Sequence, residues 1–313
     1  MTQREKHTMH PLRSIAKALL VWTVIVGASA ATAAADQQGF ATPEAAVQAL
    51  VAAARNYDEP QLLSIFGPAG KELFFSGDPV VDRQRLEKFV RAYDLKNAIA
   101  PDGGRMVLSI GQNEWPFPIP MVPSGAQWFF DTAAGKEELL NRWIGEHELS
   151  TIQTLLAIVD AQREYAMQDR DGDGLREYAR KFGSDPGQKN GLFWETQPGE
   201  APSPLGELVA EAWAEGYSRK GAQGPIPYHG YYFRMLTHQG PHAAGGPLDY
   251  VVQGHLIGGF GVLAYPATYG TSGVMSFMVN HEGLIYEKNL GPATAKIAPA
   301  IEAFDPDRTW EKH

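Results

Sequence analysis

Cysteine is absent from the 313-residue chain. That absence excludes disulfides, thiolate catalysis and cysteine-ligated zinc, so stability must come from the core and its polar contacts. A strand-then-helix G-x-G-x-x-G, a Walker loop and an H-E-x-x-H pair are also missing, which removes the sequence grounds for a nucleotide site or a zincin. Nor is there a G-x-S-x-G elbow: Ser272, beside Gly273 in YGTSGVM, reads first as a turn between strands. No internal repeat and no low-complexity linker divides the chain.

What is present is a globular composition, 44% hydrophobic and 20% charged, long enough for one large domain or two. The beginning stands apart. Basic Arg13 and Lys17 lead into ALLVWTVIVGASAA and TAAAD, with Ala33 and Ala35 placed for cleavage before Asp36. This predicts a signal peptide over residues 1–35, with Met9 as an alternative start, and an exported protein of the periplasm or the cell exterior. The apolar run from Ala18 to Ala31 is short for a bilayer-crossing helix, so no stable membrane span is expected after cleavage. Residues 1–35 hold four of the 27 bases and one of the 36 acids, so their removal leaves 23 against 35 and a net charge of −12. That balance argues against nucleic acid or an anionic membrane surface as partner and suits cation binding.

Along the mature chain, Thr42 as N-cap and Pro43 in the first turn open a helix with Ala46, Val47, Leu50, Val51 and Ala54 on one stripe. EPQLLSIF and PVVDRQRLEKFVRAYDL read as two more helices. RMVLSIG, WPFPIPMV and AQWFFDT then read as a small antiparallel sheet with its proline-bearing member at an edge. These segments form a first unit over residues 40–134. A second, residues 135–313, begins with a long helix whose stripe is Leu149, Ile152, Leu156, Val159, Arg163 and Ala166. A short helix capped by Ser203 and Pro204 follows. GYYFRMLT, DYVVQG, FGVLAYPA, GVMSFMVN and LIYEKNL then read as strands, with a hairpin at NHEG (280–283) and a closing helix over TAKIAPAIEAF. The expected class is α+β: helices on a small curved antiparallel sheet, then a long helix packed on a second antiparallel sheet.

The most conspicuous motif is DRDGDGLREYA, residues 169–179. Asp169, Asp171 and Asp173 alternate, and Gly172 and Gly174 allow a tight wrap. The Leu175 carbonyl and Glu177 complete an oxygen set of the kind that holds Ca2+. Arg180 stands where an EF-hand has its bidentate glutamate, so the loop is not a standard EF-hand, and the alternative is a solvated turn. His229, His238 and His242 are near in sequence but lack zinc-helix spacing. The acid pairs Glu137/Glu138 and Glu146/Glu148 are expected on the wet face of their helix.

Taken together, FATPEAAVQALVAAARNYD, GQNEWPFPIPMV, RWIGEHELSTIQTLLAIVDAQREYAMQDRDGDGLREYA, GYYFRMLTHQGPHAAGGPLDYVV and GGFGVLAYPATYGTSGVMSFMVNHEGLIYEKNLGP resemble the bacterial exported family catalogued as domain of unknown function 2950. The resemblance implies an exported bacterial protein and assigns no chemistry. Residues 40–134 also look like a nuclear transport factor 2-like unit, which implies helices on a curved sheet around a pocket. Residues 148–310 are similar to the head of pilin and pseudopilin proteins, sometimes bearing a calcium loop. The segment after Gly39-Phe40 is too polar to be the polymerising stalk of a true pilin.

The expected role is non-catalytic: an envelope protein that binds a small ligand or another envelope protein and carries a structural calcium loop. The alternatives are an exported hydrolase, with its pocket in the first unit or the inter-unit groove, and an accessory component of a pilus-like or secretion assembly. Convergent histidine and carboxylate groups in a dry pocket would favour an enzyme, and an aromatic-rimmed groove would favour binding.

Overall fold

The computed structural model describes residues 37–170, 172–217 and 224–313. The predicted signal peptide therefore lies outside the described residues, as does Asp171. Among the described residues, no helix is long and apolar enough to cross a membrane.

Helix α1 (Pro43–Asn56) begins where Thr42 and Pro43 predict it: the Thr42 hydroxyl accepts from the Ala45 amide at 3.1 Å. Asp58 and Asp78 cap α2 (Glu59–Phe66) and α4 (Pro79–Leu95) in the same way, and α3 (Lys71–Phe74) is a single turn between them. These helices pack on an antiparallel sheet of β1 (Asn97–Asp102), β2 (Arg105–Ile110), β3 (Trp115–Pro116), β4 (Met121–Ser124) and β5 (Gln127–Phe130), ordered β1-β2-β4-β5 with β3 also on β2. β1 has no apolar pattern to announce it, because five of its six residues are exposed. The proline-bearing segment lies between β2 and β5 rather than at an edge. It pairs in two short pieces interrupted over residues 117–120, where Pro118 and Pro120 have no amide to donate. Beneath the sheet, Phe66 and Phe130 lie 4.9 Å apart, and each is within 6.5 Å of Phe117. Burying a ring of this kind contributes about 1.5–3 kcal/mol.

Helix α5 (Thr132–Tyr165) joins this core through Leu139 and Leu140, and a second core through Leu155, Ile158, Val159 and Tyr165. Gly135 is required at its start, since a Cβ there would meet the Pro118 carbonyl oxygen at 2.2 Å. The predicted stripe is only partly buried: Ile152 and Val159 pack in the second core, whereas Leu149 and Leu156 are 63% and 43% exposed. The buried side runs through Thr151, Leu155, Ile158 and Gln162 instead. A hydrophobicity pattern passes over this face because it includes the buried polar residues Thr151 and Gln162. The Gln162 amide donates to the Ala179 carbonyl at 2.7 Å and accepts from the Ala179 amide at 2.8 Å, in the manner of a strand pair. Glu148, expected on the wet face, accepts from the Val274 and Met275 amides, both at 2.9 Å.

Helix α6 (Gly206–Glu215) starts after Leu205 without the predicted Ser203 cap. The remainder is mostly strand: β6 (Tyr231–Leu236), β7 (His238–Gln239), β8 (Leu248–Asp249), β9 (Val251–Val252), β10 (His255–Leu256), β11 (Gly261–Pro266), β12 (Met275–Asn280), β13 (Ile285–Asn289), β14 (Ala303–Phe304) and β15 (Glu311–Lys312). The main sheet is ordered β15-β13-β12-β11-β6, all antiparallel, and the predicted hairpin at 280–283 joins β12 to β13 through Gly283 at φ +84°. Both of its faces are covered. In β11 and β12, Val262, Ala264, Phe277 and Val279 face the α5 core, while the alternate residues Leu263 and Met278 face Phe304 and Trp310. The closing helix shrinks to α7 (Thr294–Ile297) and a 3-10 turn containing Pro299. The architecture is α+β.

Candidate functional site

One face of α4 carries Asp78, Asp82 and Arg85, spaced at the cap, four and seven residues on, so the three side chains share a stripe. The stripe meets α5, the end of α6 and the start of β6 in a buried polar seam between the first core and the second.

Asp78 is 1% exposed and fully used. One carboxylate oxygen accepts from the Val80 and Val81 amides at 3.1 and 3.3 Å, and the other from the Tyr217 hydroxyl at 2.8 Å and the Gly230 amide at 3.0 Å. Four donors and a helix N-terminus make a buried negative charge tolerable here. Gly230 must be glycine: its φ is +77°, and a Cβ would lie 2.8 Å from His147 Nδ1. Asp82 accepts from the Ser76 amide with both oxygens at 3.1 Å and stands 3.8 Å from Arg85 Nη1. Burial pushes its carboxyl up to about 6, outweighing the lowering by Ser76 and Arg85.

Arg85 stacks on Trp143 at 4.2 Å, and its Nη2 is 2.9 Å from His147 Nε2. His147 Nδ1 is 2.7 Å from the Ser272 carbonyl. A guanidinium only donates and a carbonyl only accepts, so His147 is the neutral tautomer with its proton on Nδ1. Burial, then the Arg85 charge, lowers its pKa to about 4. Burial likewise brings Arg85 down to about 10, leaving it charged. Tyr217 accepts from the His229 amide at 3.0 Å, and burial, reinforced by Asp78, holds its phenol far above the ordinary value.

Beside the seam runs an open groove of about 590 Å³. Leu208, Val209, Ala212 and Trp213 of α6 form one wall, Pro225, Ile226, Pro227 and Tyr228 the other, and Tyr217 closes the end. Trp213 is 52% exposed. The Tyr217 and Tyr228 rings meet edge-on at 5.0 Å, and His229 lies 4.2 Å from Tyr228 with its Nε2 3.4 Å from Glu215 Oε2. His229 holds a φ of +48°, a left-handed conformation unusual for a residue with a side chain.

A family model described as "Protein of unknown function (DUF2950)" matches residues 37–313. The chain belongs to that family. No curated protein and no solved structure gives a significant match.

In this DUF2950 chain the residues expected at the acidic loop are put to several uses. Asp169 accepts from the Gly172 and Gly174 amides at 2.7 and 2.9 Å, and Asp173 from the Leu175 amide at 2.7 Å. Asp173 and Glu177 converge on His255 Nδ1, at 3.2 and 3.4 Å, and Glu177 also accepts from the Leu256 amide at 3.0 Å. Leu175 is 43% exposed. Among the described residues, no three His, Asp or Glu side chains form a group placed to hold a metal; Asp171, the middle member of the expected set, is outside them. The three singled-out histidines do not gather: His229 pairs with Glu215, His238 with Asp249 and His242 with Asp305. Ser272 is buried in a turn, its hydroxyl bonded to the Thr268 amide and carbonyl, as the turn reading expects.

The seam itself was missed from sequence. Its one local signal is Asp78-Pro79 as a helix start followed by acid and base at helical spacing. Tyr217, His147 and Ser272 join it only through the fold.

Proposed function

We propose that this DUF2950 protein is an exported bacterial envelope protein that binds a small ligand in the α6 groove and performs no chemistry on it. The groove carries the reading: its size suits a small-molecule site, its walls are apolar and aromatic, and Trp213 stands open along it although α6 buries no residue. The neighbouring polar groups are committed to holding the halves together. Asp78 has four donors and both His147 nitrogens are spent, so neither is held ready for proton transfer to a substrate. Export is supported by the signal-like residues 1–35 and by a family match that begins at residue 37. We further propose a structural calcium ion at the 169–177 loop. Its support is the alternation of Asp169, Asp171 and Asp173 together with the left-handed Gly172 and Gly174, at φ +81° and +90°.

The groove is tested by titrating the mature chain with N-phenyl-1-naphthylamine, a neutral apolar fluorophore. Saturable binding is expected, with affinity falling about tenfold in Trp213→Ala while the melting temperature is unchanged. Equal binding by that variant would place the fluorophore elsewhere and remove the groove reading.

A further inference from the structure

Strand β1 is held on one side only. It is the end strand of the first sheet, pairs along its whole length with β2, and has five of its six residues exposed. The Gly111 amide donates to the Lys96 carbonyl at 2.8 Å, and Gly103 and Gly104, at φ +56° and +87°, turn the chain so that Asp102 stands opposite Arg105. In an antiparallel ladder the two backbone groups of a residue point the same way and alternate along the strand, so Lys96, Ala98, Ala100 and Asp102 turn theirs toward β2. Those of Asn97, Ile99 and Pro101 point outward, and among the described residues no strand lies on that side. A sheet edge is ordinarily guarded by inward charges, a bulge or a covering element. Here the body of the edge is Ala98, Ile99 and Ala100, charges stand only at its ends, and Pro101 removes a single donor.

We infer that β1 is a dimerisation edge whose occupant is β1 of a second copy, antiparallel about a two-fold axis at Ile99. The strand is complementary to itself in that register. Ile99 exchanges both backbone bonds with the second copy's Ile99, and the Asn97 amide reaches the carbonyl of the second copy's Pro101, so the missing proline amide leaves only the Asn97 carbonyl to water. Ile99 packs against the first core, and its pairing continues that apolar face across the axis. On the other face Ala98 lies opposite the second copy's Ala100, and Lys96 opposite the second copy's Asp102. Lys96 already pairs with Glu114, and Asp102 with Arg105 at 2.8 Å, all four side chains being exposed. The dimer therefore lines up Glu114, Lys96, and the second copy's Asp102 and Arg105 with alternating sign. A register slipped either way sets Lys96 against Ala100 or Gly104 and forfeits the charge match. So short an edge contact predicts a weak dimer, with Kd about 10 µM. It uses none of the groove residues.

Sedimentation velocity on the mature chain from about 1 to about 100 µM tests the edge, with K96E and D102K as variants. The unmodified chain is expected to pass from monomer to dimer over that range. Each variant alone sets like charges opposite one another and should weaken the dimer at least about tenfold. In an equimolar mixture of the two variants each acid again faces a base, and the dimer should return to within about threefold of the unmodified affinity. Repulsion from Glu114 or Arg105 within one copy persists in the mixture, so recovery cannot come from relief inside a single chain. A monomer at the highest concentration overturns the inference. So does a dimer that neither variant weakens, or a mixture that stays as weak as its components. Species larger than a dimer also overturn it, because a two-fold edge contact closes on itself.

Discussion

Two acidic clusters, each beside a histidine, meet opposite fates in this molecule. At the 169–177 loop, Asp173 and Glu177 face His255 at the surface, where water and salt screen the charges. At the seam, Asp78 and Asp82 are taken out of water with Arg85 and His147, and every contact is sharpened by low dielectric. The lesson is that a run of aspartates in sequence marks exposure, whereas the carboxylates that bind the fold together come singly, as a helix cap and its neighbour one turn on. The contrast predicts unequal energies.

The largest effect should come from Asp78. Removing its carboxylate strips the α4 cap and leaves the Tyr217 hydroxyl and Gly230 amide buried without an acceptor, so Asp78→Ala is expected to cost roughly 3–5 kcal/mol. Asp173→Ala, at the surface, should cost less than about 1 kcal/mol when both proteins are unfolded in excess chelator. Urea unfolding of both variants decides the matter; equal losses would erase the distinction between the clusters.

Acid sharpens the comparison further. His147 has its folded pKa depressed to about 4, so its contribution is complete above its unfolded value near 6.5 and is lost as pH falls toward 4. Asp82 works in the other direction. With a folded pKa raised to about 6, it favours the fold as it takes up a proton below that pH. Between pH 7 and 5 the His147 loss is about 2 kcal/mol and the Asp82 gain about 1 kcal/mol, so the unmodified seam loses only about 1 kcal/mol. Asp82→Asn removes the compensating group and should expose the full loss of about 2 kcal/mol over that interval. Parallel stability curves for the two proteins across pH 5–7 would show that Asp82 does not offset His147.

How much of this was legible beforehand follows the same physics. The helix announced by Thr42-Pro43 formed where its cap placed it, the run PVVDRQRLEKFVRAYDL formed α4, and the strands of the second sheet matched their β-branched, aromatic runs, because caps and periodicity are local. β1 was invisible because it has no buried face, and the α5 stripe was misplaced because Gln162 and Glu148 are buried on bonds to partners that local pattern does not reveal. The seam draws on residues as far apart as Asp78 and Ser272, and no window of sequence contains it. Of the groove, only α6 was foreseen. Its second wall, Pro225 to Tyr228, reads from sequence as a proline-rich loop and gains meaning from Tyr217 beside it.

The smallest effect concerns the surface loop. If calcium fills it, the aspartates that repel one another in the free chain become ligands, and the folded state gains by mass action. At a calcium concentration ten times the dissociation constant that gain is about 1.4 kcal/mol, worth a few degrees in melting temperature for a chain of this size. Melting the mature protein with 1 mM calcium and with excess chelator should therefore give two curves, and Asp171→Ala should merge them. Coincident curves for the unmodified protein would reject the ion. Asp169 and Asp173 would then be explained by their bonds to the Gly172, Gly174 and Leu175 amides, as a turn that closes α5.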